Sequence, residues 1–147
     1  MATTTHEGRC YCGDVQFGVA VTEERGVFGS AYCHCDSCRR AHAAPLYHVV
    51  FSQLQDFHVT AGSENIVEFQ KTPGRIIRAF CSRCGTRVYN RFPKWRPGGN
   101  ELRAWFPNLL TEGAQQPMPQ AFRPKRTNRP EECVLETELL REFLSGV

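Results

Sequence analysis

The 147-residue chain contains no run of about 18 apolar residues, which excludes a helical membrane span. Its opening residues, MATTTHEGR, lack the apolar stretch of a secretory signal, so a cytoplasmic location is the default expectation. Internal repeats and long low-complexity segments are absent. There is also little net charge, +3 at neutral pH. That excess disappears if the clustered cysteines hold metal, because seven thiolates and two Zn²⁺ together remove three positive charges. Charge therefore gives little reason to expect a nucleic-acid partner, and no membrane partner is expected. The length and a hydrophobic content of 41% fit a single domain over residues 1–147 with its own core.

What the chain does have is cysteine. Seven of its eight cysteines fall in three clusters: Cys10-x-Cys12, Cys33-x-Cys35-x-x-Cys38 and Cys81-x-x-Cys84. In a reducing compartment such clusters read as metal ligands rather than disulfides. One intervening residue hardly accommodates an unstrained disulfide, but it can aim two sulfurs at one ion. Two pairs make a closed four-thiolate zinc site from Cys10, Cys12, Cys81 and Cys84, and Gly13 and Gly85 follow the pairs where the backbone must turn. The triplet Cys33, Cys35 and Cys38 has no second cluster to join. It leaves a coordination position open for chemistry, or is closed by His34, His42 or Cys133. His34 suits closure least, since adjacent ligands on one backbone diverge. Three thiolates around Zn²⁺ carry a formal charge of −1, so such an ion is a weak acid toward water. It suits holding an incoming thiol as thiolate, and so points to sulfur attacking or leaving an electrophilic carbon.

The first hundred residues read as mainly β. Alternating Val15, Phe17, Val19 and Val21 predict a strand over Asp14 to Val21. Further strands are predicted over Val27–Tyr32, Leu46–Phe51, Thr86–Asn90 and Glu101–Phe106. Asn65–Phe69 and Arg75–Phe80 flank Thr72-Pro73-Gly74 as a hairpin, and Asp36–Ala43 is expected to form a helical turn around the triplet. Residues 113–130 read as a proline-rich basic arm, and 131–144 as a short amphipathic C-terminal helix carrying Cys133. Within the arm, Arg123, Lys125, Arg126 and Arg129 form a basic patch, expected to be solvated rather than to hold nucleic acid.

Three ordered motifs now carry a resemblance: Gly8-Arg9-Cys10-Tyr11-Cys12-Gly13-Asp14-Val15-Gln16-Phe17, Cys33-His34-Cys35-Asp36-Ser37-Cys38-Arg39-Arg40, and Phe80-Cys81-Ser82-Arg83-Cys84-Gly85-Thr86. Over roughly residues 7 to 107 the chain resembles the glutathione-dependent formaldehyde-activating enzymes, a family that includes the CENP-V-type proteins. The resemblance implies an Mss-four-like (β-tent), β-rich fold with two zincs. It matches Cys10, Cys12, Cys81 and Cys84 to the structural site, and Cys33, Cys35 and Cys38 to the catalytic one. It also implies a carbon–sulfur lyase that adds glutathione to formaldehyde to give S-hydroxymethylglutathione. The segment after Pro107 does not resemble the family's C-terminal region.

Arg39 and Arg40 are candidates to bind the carboxylates of a glutathione-like thiol, because guanidinium pairs well with carboxylate. Arg87 and Arg91 invite the same idea with weaker support. His42 is the nearer candidate for a proton-transfer group, whereas His48 reads as a hydrogen-bonded structural residue. Trp95 and Trp105 are expected in the core more than beside a zinc. The competing reading is a non-catalytic module whose two zincs are structural and whose surface binds a protein or nucleic acid.

Overall fold

A computed structural model of the protein describes residues 2–94, 99–111, 117–138 and 145. The fold is mainly β, built as two sheets. The smaller is antiparallel, in the order β1 (Thr3–Arg9), β2 (Gln16–Thr22), β5 (Phe57–Ala61). The larger has seven strands. It runs β10 (Arg126–Asn128), β3 (Gly29–Cys33), β4 (Tyr47–Gln53), β9 (Leu102–Trp105), β8 (Arg87–Phe92), β7 (Ile77–Cys81), β6 (Ile66–Phe69). Only β10 lies parallel to its neighbour. A short helix, α1 (Asp36–His42), follows β3. No helix among the described residues is long and apolar enough to cross a membrane.

Patterning explains the layers. The alternation in β2 and the residues leading into it buries Val15, Phe17 and Val19 completely, against Phe57, Trp105 and Phe122. The LYHVVF segment is apolar on both sides for a different reason. Its strand, β4, sits between two cores: Val50 faces the first, while Val49 and Phe51 pack with Cys33, Cys38, Ala104 and Phe106 in the second. Trp105 is fully buried and its indole N–H donates to Ser52 Oγ at 2.9 Å. It is a core residue; Trp95 lies outside the described residues.

Two expectations for the C-terminal part need correction. The segment within 113–130 is not a solvated arm, although residues 113–116 lie outside the described set. Phe122 is fully buried, edge-on to Trp105 at 4.8 Å and to His6 at 4.8 Å. Burying one phenylalanine stabilises by about 1.5–3 kcal/mol, enough to hold the chain against the sheet. The residues that follow then add β10 to the sheet edge beside β3. Nor does a helix start at Glu131. Pro130–Glu132 make a single 3-10 turn, and helical geometry first appears at Thr137 and Glu138. Residues 139–144 lie outside the described set. Glu132 is diverted to α1, where its carboxylate accepts the Asp36 N–H at 2.5 Å. Cys133, expected in a helix, is an exposed residue just after the turn.

Candidate functional site

The two cysteine pairs converge. Cys10 follows β1 and Cys12 lies in the turn beyond it, while Cys81 ends β7 and Cys84 sits in the turn into β8. Their four sulfurs all lie within 4.8 Å of one another. Cys10 Sγ is 3.5 Å from Cys12 Sγ, and Cys12 Sγ is 3.8 Å from Cys81 Sγ. A tetrahedral ion about 2.3 Å from each sulfur requires sulfurs about 3.8 Å apart, so the donor set fits zinc. Gly13 and Gly85 take left-handed backbone angles, φ 84° and 78°, that a side chain would oppose. Their amides turn back to the carbonyls of Cys10 and Cys81. The Val15 N–H donates to Cys10 Sγ at 3.3 Å. The cluster ties the small sheet to the large one across 69 residues of sequence, beside an exposed Arg83–Asp14 ion pair that contributes little.

The triplet is arranged differently. Cys33 ends β3, Cys35 precedes α1, and Cys38 lies on its first turn. Cys33 and Cys38 are buried in the second core, with Tyr47 packed against it. Cys35 is half-buried and turned to Ser37 Oγ at 3.2 Å. Among the described residues, the three sulfurs do not form a second group as tight as the first. A shared ion requires Cys35 to leave Ser37 and join the pair. The Cys33 hydrogen bond, with Tyr47 and Arg78, pushes Cys38 down to about 5 against its burial, while Cys33 keeps the proton and is pushed up. All three cysteines line a cavity of about 730 Å³, within the usual size of small-molecule sites. Its wall also carries Arg75, Arg78, Lys94, Arg126 and Arg129, with no carboxylate among the described lining residues.

A family model described as glutathione-dependent formaldehyde-activating enzyme matches residues 5–121. The chain belongs to this family. A Halomonas elongata protein provisionally named a glutathione-dependent formaldehyde-activating enzyme is 33% identical over 95 residues. That match covers 60% of this chain and 57% of the relative's length. A crystal structure of a Rhodobacter sphaeroides protein aligns with a TM-score of 0.59, over 83% of this chain and 99% of that one. At 20% identity the likeness is one of fold alone.

Within this glutathione-dependent formaldehyde-activating family member, several candidates fall elsewhere than expected. Arg39 and Arg40 do not line the cysteine cavity. Arg39 Nε donates to the His34 carbonyl at 2.9 Å, and both guanidiniums pair with Asp36 along α1. The helical spacing of three and four residues makes those local pairs inevitable. Arg91 is taken by Glu68 and Glu101, and Arg87 donates from Nε to the Ala41 carbonyl. His42 stacks on Tyr47, 4.2 Å between centroids, with Phe106 edge-on at 4.9 Å. Burial, then Arg78 and Arg87, push it down to about 4, so the ring is neutral at pH 7, and it lines a separate cavity with Tyr47 and Phe106 rather than the one that holds the three cysteines. His48 is structural as read: its Nε2 donates to the Phe122 carbonyl at 2.7 Å.

Five other cations line the triplet's cavity, Arg75, Arg78, Lys94, Arg126 and Arg129. Arg126 and Arg129 come from the basic patch, delivered by β10 and the turn after it. Arg78 is the one placed deepest. It alternates with the core residues Ala79 and Cys81 on β7, so it points to the opposite face. It is only 8% exposed, and its Nη2 donates to Cys38 Sγ at 3.7 Å. A lone arginine inside an otherwise apolar strand was the available signal.

Proposed function

We propose that the protein is a zinc-dependent carbon–sulfur lyase or synthase that joins a glutathione-like thiol to formaldehyde, and splits the adduct in reverse. The observation that carries this reading is that three cysteines line one cavity together with five cations. Glutathione has two carboxylates, and Arg75, Lys94, Arg126 and Arg129 line the same cavity, where they can meet them. Of these, Arg129 also pairs with Glu131 at 3.5 Å, and the net positive lining concentrates an anionic thiol at the site.

Two zincs fit the reading. Cys10, Cys12, Cys81 and Cys84 would hold one that fastens the sheets. Cys33, Cys35 and Cys38 would hold the other, which when bound supplies a Lewis acid that keeps a thiol ionised. The protein residues do the remaining work. The cations orient the thiol, and the aromatic wall of Tyr47, Phe51 and Phe92 limits solvent around the reacting carbon. A purely structural zinc module needs no such cavity.

Thiol–formaldehyde addition also runs unaided, so exchange rates are the proper test. Magnetisation-exchange NMR on mixtures of glutathione and formaldehyde should show faster exchange between free thiol and S-hydroxymethylglutathione when the zinc-loaded protein is added. Exchange at the buffer rate would sink the enzymatic reading.

A further inference from the structure

One row of the large sheet passes beneath α1. Phe51 pairs with Ala104, Ala104 with Asn90, and Asn90 with Arg78. Directly paired residues of antiparallel strands share a face, with Cβ atoms about 4.5–5.5 Å apart. This is the triplet's face, because Phe51 and Ala104 pack with Cys33 and Cys38.

Two members of the row are out of place in an apolar layer. Asn90 is fully buried, and neither its amide nitrogen nor its oxygen has a hydrogen-bond partner among the described residues. Arg78 is buried beside it with no carboxylate partner among the described residues; its Nη2 reaches Cys38 Sγ and its Nη1 is unpartnered. A buried guanidinium is normally neutralised by a carboxylate, and a buried asparagine is normally bonded. Apolar residues would pack here at lower free-energy cost, so the pair calls for another explanation.

We propose that Arg78 stabilises the negative charge that develops on the aldehyde oxygen, and that Asn90 is the positioning residue that holds the guanidinium toward the cavity. The inference rests on the thiol–aldehyde reading above. In the step, the thiol sulfur forms a bond to the carbonyl carbon and the carbonyl π pair moves onto oxygen. The proton given up by the thiol ends on that oxygen, so thiol plus aldehyde gives the hemithioacetal with nothing left over. Arg78 lies on the cavity wall next to Cys38, where that oxygen emerges. A preorganised donor in a water-poor site is most effective for such a charge. Asn90 stands one strand away, and a single Nη1–H···Oδ1 bond would satisfy one unpaired atom on each residue.

The test compares Arg78→Met, Arg78→Lys and Asn90→Leu with wild type, in the full zinc-loaded chain. Arg78→Met is expected to lower kcat for adduct formation by about 100-fold, in the range seen when one oxyanion donor is lost. It should retain its zinc and the response of its cobalt-substituted form to glutathione. Arg78→Lys should recover part of that loss. Asn90→Leu should lower kcat by about tenfold while melting at or above the wild-type temperature. Unchanged kcat in Arg78→Met overturns the inference, and so does loss of zinc or of the glutathione response in parallel with kcat. Asn90→Leu with a lower melting temperature and unchanged kcat does likewise. If wild type itself gives no acceleration, it is the parent reading that fails.

Discussion

The two cysteine regions use the same side chain for opposite ends. The four sulfurs of Cys10, Cys12, Cys81 and Cys84 are gathered within 4.8 Å of one another, between two sheets, with no position left over. Cys33, Cys35 and Cys38 open onto a cavity, and Cys35 stands apart from the buried pair. In the first region the backbone turns at Gly13 and Gly85 so that four sulfurs meet where they could hold an ion. In the second, a helix and a strand end place sulfurs at a wall that cations share. Closure builds a fold and openness admits a ligand.

Breaking the first region should have the largest effect. Cys81→Ser removes a donor at the junction of the sheets, and is expected to lose that metal and cost several kcal/mol of stability. Parallel zinc analysis and thermal melting by circular dichroism check it; a variant that melts like wild type would remove the structural role. Cys35→Ser sharpens the contrast. Its side chain is outside both buried cores' fully enclosed residues, so the fold should survive while one zinc equivalent and the exchange activity are lost. Global unfolding of this variant would make the triplet structural too.

Much of this contrast is legible in the sequence, because metal motifs are local. Spacing alone separates two pairs from a triplet, and alternation at Val15, Phe17 and Val19 identifies β2. Three strands carry no expectation in the sequence; β5 has the alternating Phe57 and Val59, but β1 and β10 lack such a signal. β1 is polar and carries three threonines in a row, and β10 is a basic tripeptide that becomes a strand only by lying beside β3. Proximity of Arg39 and Arg40 to the triplet in sequence does not fix their spatial direction. Their side chains run along α1 to Asp36, whereas the cations of the cavity come from far along the chain, as Arg78 does from 40 residues beyond Cys38. Long-range pairing, not local pattern, decides which charges meet the sulfurs.

A smaller effect belongs to the aromatic wall between the regions. Because His42 is pushed down to about 4 from an ordinary 6.5, the folded state resists its protonation. Its contribution to stability is whole above pH 6.5, falls as the unfolded chain takes up the proton below that, and levels off near pH 4. The loss amounts to about 3 kcal/mol at most by linkage, on the shift given above. His42→Phe preserves the stack on Tyr47 and should flatten that part of the stability–pH curve, read from denaturant melts at pH 7 and pH 5. An identical slope in the variant would show that His42 titrates normally. Arg40→Ala should matter least. Its side chain is 79% exposed and pairs only within α1, so stability should move by no more than about 0.5 kcal/mol and exchange activity should be unaltered. A clear loss of activity would return Arg40 to the substrate site.

The central claim, one closed site and one open one, is tested most directly by metal occupancy with a spectroscopic probe of the triplet. Two zincs per chain are expected, and cobalt at the Cys33–Cys35–Cys38 site should change its sulfur-to-metal charge-transfer band when glutathione is added. One metal per chain, or a cobalt spectrum indifferent to glutathione, would contradict the account.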